Sequence, residues 1–328
     1  MLLGGIVMYE GYITDVEGIK VGHSQDNDAM TGTTVIICEE GATGGVDVRG
    51  SAPGTRETDL FKSDKTVDKV HAVVLSGGSA FGLDAAGGVM DYLEKKNIGF
   101  DVGITKVPIV ASAVIFDLTI GDYKIRPDYK MGYQASRLAS VDENRQGNVG
   151  CGTGATVGKI LGPKNSMKSG LGSASIKVGD LVVAAIVAVN SFGDIYDHRN
   201  NKQIAGVYDY DKNKLLNTVE IMKENNEALN FAGRNTTIGL IATNGIINKA
   251  QGNKIAQMGH NGFARSINPI HTTNDGDTIF ALGTNKINAD VNLIGVLGQE
   301  VMSRAITNAI ESAEEYGDFS SYKNIKNY

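Results

Sequence analysis

Apolar runs of strand length recur along the chain at residues 33–38, 70–75, 107–116, 181–189, 237–242 and 278–282, most of them bounded by Gly, Asn or Asp. Runs of this length closed by turn-forming residues predict β-strands. Several are apolar at odd and even positions alike, which predicts central strands buried on both faces. Between them the period changes: Leu83, Ala86, Met90 and Leu93 return at helical intervals, as do Ile255, Met258 and Phe263 and, most clearly, the stretch 289–316. Such spacing lines one face of a helix, and helices of this kind bury that face against a sheet, so the pattern predicts layered α and β elements. No Pro-, Ser- or charge-rich linker breaks the alternation, and residues 1–328 read as one domain. Residues 200–235 differ in being rich in Asn and Lys, and they read as an exposed connector with one helix around 218–229, leading into the strand at 237.

Composition excludes several classes. The chain is 41% hydrophobic and 21% charged, which suits a large buried core and excludes a disordered polymer. Its 42 glycines against 5 prolines, without a collagen-like period, predict many tight turns. A net charge of -6 lacks the basic field that nucleic acid or an anionic membrane requires. Cys38 and Cys151 are the two cysteines, too few for a disulfide framework or a four-cysteine zinc site, and they predict a reducing compartment, the cytoplasm. No stretch reaches eighteen unbroken apolar residues, so no spanning helix is expected. His23, His71, His198, His260 and His271 show no HExxH or paired-ligand spacing, and neither a metal nor a cofactor is expected.

Candidate chemistry is thin when each motif stands alone. Residues 150–159 (GCGTGATVGK) look at first like a phosphate loop, but Thr153 and Ile160 stand where that pattern needs Gly and Ser or Thr, and Val157 breaks the dinucleotide pattern. A glycine loop whose amides could bind an anion or oxyanion remains, with Lys159 after it; a tight turn with a solvated lysine is the plainer reading. Ser79 in residues 77–82 (GGSAFG) fits a helix N-cap better than a nucleophile elbow, whose second glycine would fall one place earlier. Asp275-Gly276-Asp277 places two carboxylates at a strand entrance, where one held ionised can orient the other for proton transfer, although most such triplets are turns. Asn235-Thr236-Thr237 puts hydroxyls at the start of another strand.

Taken together these segments resemble a family. Residues 13–23 (ITDVEGIKVGH), 47–60 (DVRGSAPGTRETDL), 75–85 (LSGGSAFGLDA), 147–159 (GNVGCGTGATVGK) and 235–244 (NTTIGLIATN) resemble, in order, blocks of the self-processing aminopeptidases of the L-aminopeptidase/D-esterase type. That group includes β-peptidyl aminopeptidases and the 6-aminohexanoate-oligomer, or nylon-oligomer, hydrolases. The resemblance implies a four-layer αββα sandwich of the N-terminal-nucleophile-hydrolase kind, shared with ornithine acetyltransferases. It further implies one chain that cuts itself between Asn235 and Thr236 into residues 1–235 and 236–328. The hydroxyl would attack the preceding carbonyl, an N-to-O acyl shift would give an ester, and water would hydrolyse it. Thr236 would then carry both a nucleophile and an α-amine, a group that titrates at roughly 7.7–8.0 in model compounds and can act as a base near neutral pH.

By the same resemblance Asp275 and Asp277 form the carboxylate pair, with Asp275 nearer the hydroxyl, Lys159 supplies positive charge and Asn190 donates to the oxyanion. Thr236 in place of Ser, and Asp275 where β-peptidyl members carry Ser, draw this chain toward the nylon-hydrolase branch. Phe116 stands near a position where some members carry tyrosine. The expected activity is amide hydrolysis of short peptides or 6-aminohexanoate oligomers, in a homotetramer of αβ heterodimers. An acyltransferase of the ornithine acetyltransferase type and a non-catalytic binding relative are the alternatives.

Overall fold

The computed structural model describes residues 9–224 and 235–325. Nine strands form its main sheet: β1 (Lys20–Asp26), β2 (Thr31–Val48), β3 (Thr55–Arg56), β4 (Lys69–Ser76), β5 (Val110–Val114), β6 (Leu171–Val178), β7 (Leu181–Ala188), β8 (Ile238–Gly245) and β9 (Thr278–Ile287). Their order is β6-β7-β8-β9-β2-β4-β5-β3, with β1 also paired to β2. The five principal helices are α1 (Ala85–Lys95), α2 (Tyr129–Arg137), α3 (Thr218–Glu224), α4 (Lys249–Ser266) and α5 (Val291–Ser312).

The long strand β2 explains how one hydrogen-bonded sheet makes two layers. Its first half, Thr31 to Ile37, pairs with β1 and β4, and after a register shift between Ile37 and Ala42 its second half pairs with β9. A shift of this kind bends and twists a strand, so β6, β7, β8 and β9 fold back over β4 and β5. The period-2 alternation of side chains shows the result. Ala184, Ile186, Leu240, Phe280 and Leu282 pack in one core with Ile36, Val73, Leu75 and Ala111, between the layers. The intervening residues Val183, Ala185, Ile241 and Ile279 face α4 and α5, while Val35, Ile37, Ala72 and Val74 face α1 and α2. The layers therefore run α, β, β, α, as expected.

Local sequence accounts for the helices. Asn248 caps α4 with a reciprocal Gln251 box, and the Asp290 side chain caps α5 at Asn292 N, satisfying first-turn N–H groups. Helices α1 and α2 touch through Gly88 and Gly132, where a Cβ would lie 1.9 Å from Tyr129 O and from Ala85 O respectively. No helix among the described residues is long and apolar enough to cross a membrane.

Two local expectations are corrected. Ser79 does not cap α1; it opens a 3-10 turn, Ser79–Asp84, at φ 55°, and the α-helix starts at Ala85. Residues 200–224 are not uniformly exposed, since Ile204, Ala205, Val207 and Tyr208 are buried in short hairpins. Of the expected helix at 218–229 the structure describes Thr218–Glu224; residues 225–229 lie outside the described residues.

Candidate active site

Strand register builds the site. Strands β8 and β9 are parallel with Ile238 opposite Thr278, and the pairing extends backwards to a bridge between Asn235 and Asp275. Strand β7 runs antiparallel on the other side with Ala188 opposite Ile238, so the residues that follow it pass Thr236, whose N–H donates to Asn190 O at 3.0 Å. Asn235, Thr236, Asn190, Asp275 and Asp277 are all buried. The structure thus gathers, around the 235–236 peptide, every site residue expected from the sequence.

The hydroxyl of Thr236 donates to the carbonyl oxygen of Asn235, the carbonyl just upstream of its own nitrogen. That oxygen also accepts from Gly276 N–H at 3.0 Å. Lys159 Nζ donates to Asn190 Oδ1 at 2.7 Å and to Asn190 O at 3.1 Å, and Thr156 N–H donates to the same Oδ1 at 3.1 Å. Asn190 Nδ2 donates to Phe116 O at 3.0 Å. Position 116 therefore meets the site through its backbone, whatever its side chain.

The two carboxylates are unlike. Asp277 Oδ1 accepts from Thr237 N–H at 2.7 Å, while its Oδ2 accepts from His271 N–H at 3.2 Å and His271 Nδ1–H at 2.8 Å. Both its oxygens are thus engaged as acceptors. Asp275 Oδ2 accepts from Thr272 N–H and Oγ1–H, each at 2.7 Å, but Asp275 Oδ1 is buried without a hydrogen-bond partner among the described residues. Burial, reinforced by the charge of Asp277, pushes the Asp275 carboxyl up to about 6, against the Thr272 donors and Lys159, which lower it. Burial pushes the Lys159 ammonium down to about 7, against the carboxylates of Asp275 and Asp117. A carboxyl pushed up and an amine pushed down toward neutral pH in one buried site mark it as a candidate for proton transfer.

Three participants escaped the sequence reading. His271 lies six residues before Asp277 in the same loop, and its ring packs on His260 with centroids 4.7 Å apart; its place in that loop was the available signal. Asp117 is buried, accepts from Thr31 Oγ1 and Gly78 N–H at 2.7 Å each, and burial raises its carboxyl. Lys168 is fully buried and its Nζ donates to the carbonyls of Gly152, Ala155 and Ser169. No local pattern marks either of them. The glycine loop itself is not an open anion cradle. Gly150 and Cys151 N–H donate to Gln25 Oε1 and Thr34 Oγ1, and those of Gly152, Thr153 and Ala155 close local turns, because a 3-10 turn and a short strand occupy this segment.

Beside the site lies a pocket bordered by Thr119, Thr156, Lys159, Pro163, Phe192 and Asn235. Among the described residues no group of three or more His, Cys, Asp or Glu side chains could hold a metal ion.

Comparison with known proteins gives a consistent result. The model of peptidase family S58 matches residues 11–321. An uncharacterised aminopeptidase of Mycobacterium leprae is 36% identical over 342 residues, covering 94% of this chain and 92% of the relative. A 6-aminohexanoate-oligomer endohydrolase of Paenarthrobacter ureafaciens is 31% identical over 312 residues, covering 90% and 84%. Among solved structures, the L-aminopeptidase D-Ala-esterase/amidase of Ochrobactrum anthropi, described as a new variant among the Ntn hydrolase fold, superposes with a TM-score of 0.71 at 16% identity, over 96% of this chain and 90% of that one.

Proposed function

Because the chain belongs to peptidase family S58 and is a hydrolase of peptide or amide bonds, we propose that Thr236 is its nucleophile, freed when the chain cuts itself after Asn235. The observation that carries this reading is the Thr236 hydroxyl placed on the Asn235 carbonyl, with Lys159, Asn190, Asp275 and Asp277 grouped around it.

In the self-cleavage, Thr236 Oγ1 bonds to the Asn235 carbonyl carbon and passes its proton toward Asp275. The C–N bond then breaks, the proton reaches the leaving nitrogen, and an ester links Asn235 to the Thr236 oxygen. Water hydrolyses the ester, leaving a carboxylate on Asn235 and a free amine and hydroxyl on Thr236. With a substrate the same oxygen attacks an amide carbonyl, the new α-amine takes the hydroxyl proton, the Asn190 amide holds the oxyanion, and water releases the acyl group.

Relatives named as aminopeptidases and as a 6-aminohexanoate-oligomer endohydrolase support short peptides and oligoamides with a methylene spacer as the substrate class. The pocket walls fit that class: Pro163 and Phe192 suit a hydrocarbon spacer, and Lys159 is the charged group that borders them. Two buried free cysteines support residence in the reducing cytoplasm. A tetramer of αβ heterodimers remains the proposed assembly. The test of the substrate assignment is amine release from short peptides and from linear 6-aminohexanoate oligomers by the cleaved protein. Release from at least one class, and none by Thr236→Ala, is expected; release by Thr236→Ala at the wild-type rate would remove Thr236 from the chemistry.

A further inference from the structure

Resting on the reading that Thr236 splits the chain, we propose that the backbone N–H of Gly276 is the oxyanion donor of the self-cleavage step and serves that step alone. It donates at 3.0 Å to Asn235 O, the oxygen on which negative charge develops when Thr236 Oγ1 adds to the carbonyl carbon. Among the described residues the groups on that oxygen are Gly276 N–H and the attacking hydroxyl itself. The side-chain amide expected to hold a substrate's oxyanion is not on this oxygen: one N–H of Asn190 Nδ2 donates to Phe116 O, and the second is left for a substrate.

The donor is fixed before the reaction begins. Asp275 N–H donates to Thr272 O at 3.1 Å, Asp275 O accepts from Ala52 N–H at 2.9 Å, and Thr278 N–H donates to Thr237 O at 3.2 Å, so residues 275–278 are tied on both sides. A donor held in this way needs no reorganisation as charge appears, which is the source of oxyanion stabilisation. Glycine is required for a steric reason too. A Cβ at 276 would lie 2.7 Å from Thr236 Oγ1 and 2.6 Å from Ala52 O, so any side chain would press on the nucleophile.

The donor is specific to one step because of where the two carbonyls lie. The Asn235 carbonyl sits in the β8–β9 ladder, against Gly276. Under this proposal a substrate arrives from the neighbouring pocket, which Lys159, Thr156, Phe192 and Asn235 border. Under the same proposal the Asn235 carboxylate stays on Gly276 N–H after cleavage, which keeps that donor from a substrate's oxyanion.

The experiment replaces Gly276 by glycolic acid, and separately by N-methylglycine, through codon suppression in cell-free translation of the full chain. Both lack the N–H, and the second keeps the Asp275 carbonyl an amide. The α-hydroxy analogue of Thr278 is the matched control, since it deletes a neighbouring ladder bond that does not touch the scissile carbonyl. Splitting of the intact chain is followed by mass, and turnover is then measured per cleaved molecule. Loss of one oxyanion donor predicts splitting slowed by about 10²- to 10³-fold in both Gly276 variants, with turnover per cleaved molecule unchanged and the Thr278 control splitting normally. Normal splitting in the Gly276 variants, or an equal fall in splitting and turnover, would overturn the assignment. A wild-type chain that never splits would instead overturn the nucleophile reading on which it rests.

Discussion

His271 donates twice to Asp277, through its backbone N–H at 3.2 Å and its Nδ1–H at 2.8 Å, and it does so from a left-handed backbone, φ 58°. Few residues other than glycine adopt that conformation, and Asn, Asp and His are the most tolerant. With both oxygens of Asp277 accepting, the unpartnered Asp275 Oδ1 is the carboxylate oxygen that, on the function proposed above, takes the Thr236 proton.

On the proposed function His271 would act through Asp277, as a positioning residue. His271→Ala removes one donor and keeps a side chain at positive φ, so Asp277 can take the proton that belongs on Asp275; chain splitting should slow by about tenfold or more. His271→Asn supplies an N–H donor and tolerates the backbone, and should recover most of the rate. The measurement is the splitting rate of both variants at matched pH. Equal rates in the two would show that the donor does not matter.

The titration of the site gives a second expectation. The base form of Asp275 appears as pH rises through about 6, and the charged form of Lys159 is lost as pH rises through about 7. Splitting should peak between those values. Lys159→Met deletes a charge that pulls the Asp275 carboxyl down, so the acid limb should move to higher pH while the maximum falls. An acid limb that moves to lower pH would contradict the arrangement.

Asp275→Asn separates catalysis from stability. A carboxyl raised by burial contributes stability at low pH that is lost as pH rises through its folded value, here about 6. The amide carries no charge to lose. The variant should stop splitting by about 10²-fold or more, yet melt no lower than wild type above that pH. A matching loss of Tm and of splitting would make Asp275 structural.

Lys168 is a stability element beneath the glycine loop. Lys168→Met removes one donor from each of three carbonyls; Gly152 O keeps Ala155 N–H and Ala155 O keeps Ser169 N–H, so among the described residues Ser169 O is the one that loses its donor. An unsatisfied buried carbonyl costs about 1–3 kcal/mol, so the variant should lower Tm by a few degrees. An unchanged Tm would show that Ser169 O finds another partner.

Much of the fold was legible because the strands β4, β5, β7, β8 and β9 are apolar on both faces and cannot lie at a surface. The second half of β2 was not, because Glu39, Glu40 and Gly41 break the apolar run and Gly44 and Gly45 follow. Strand β6 was missed because its middle, Gly172 to Ser175, is small and polar. The site divides in the same manner. Thr236 and Lys159 stand in segments that resemble blocks of a family, and the same resemblance implied Asn190, Asp275 and Asp277. Asp117, Lys168 and the Gly276 amide act through register and burial, which join residues far apart in sequence. No local pattern announces those.

The central claim is that the hydroxyl of Thr236 cuts the bond to which it is hydrogen-bonded. Its most direct test is intact mass under denaturing conditions for the wild-type chain and for Thr236→Ala. The account predicts that wild type resolves into two fragments joined at Asn235 and Thr236 in the sequence, and that the variant stays whole. A wild-type chain that stays whole on long incubation, or a variant that splits at the same bond, would contradict it.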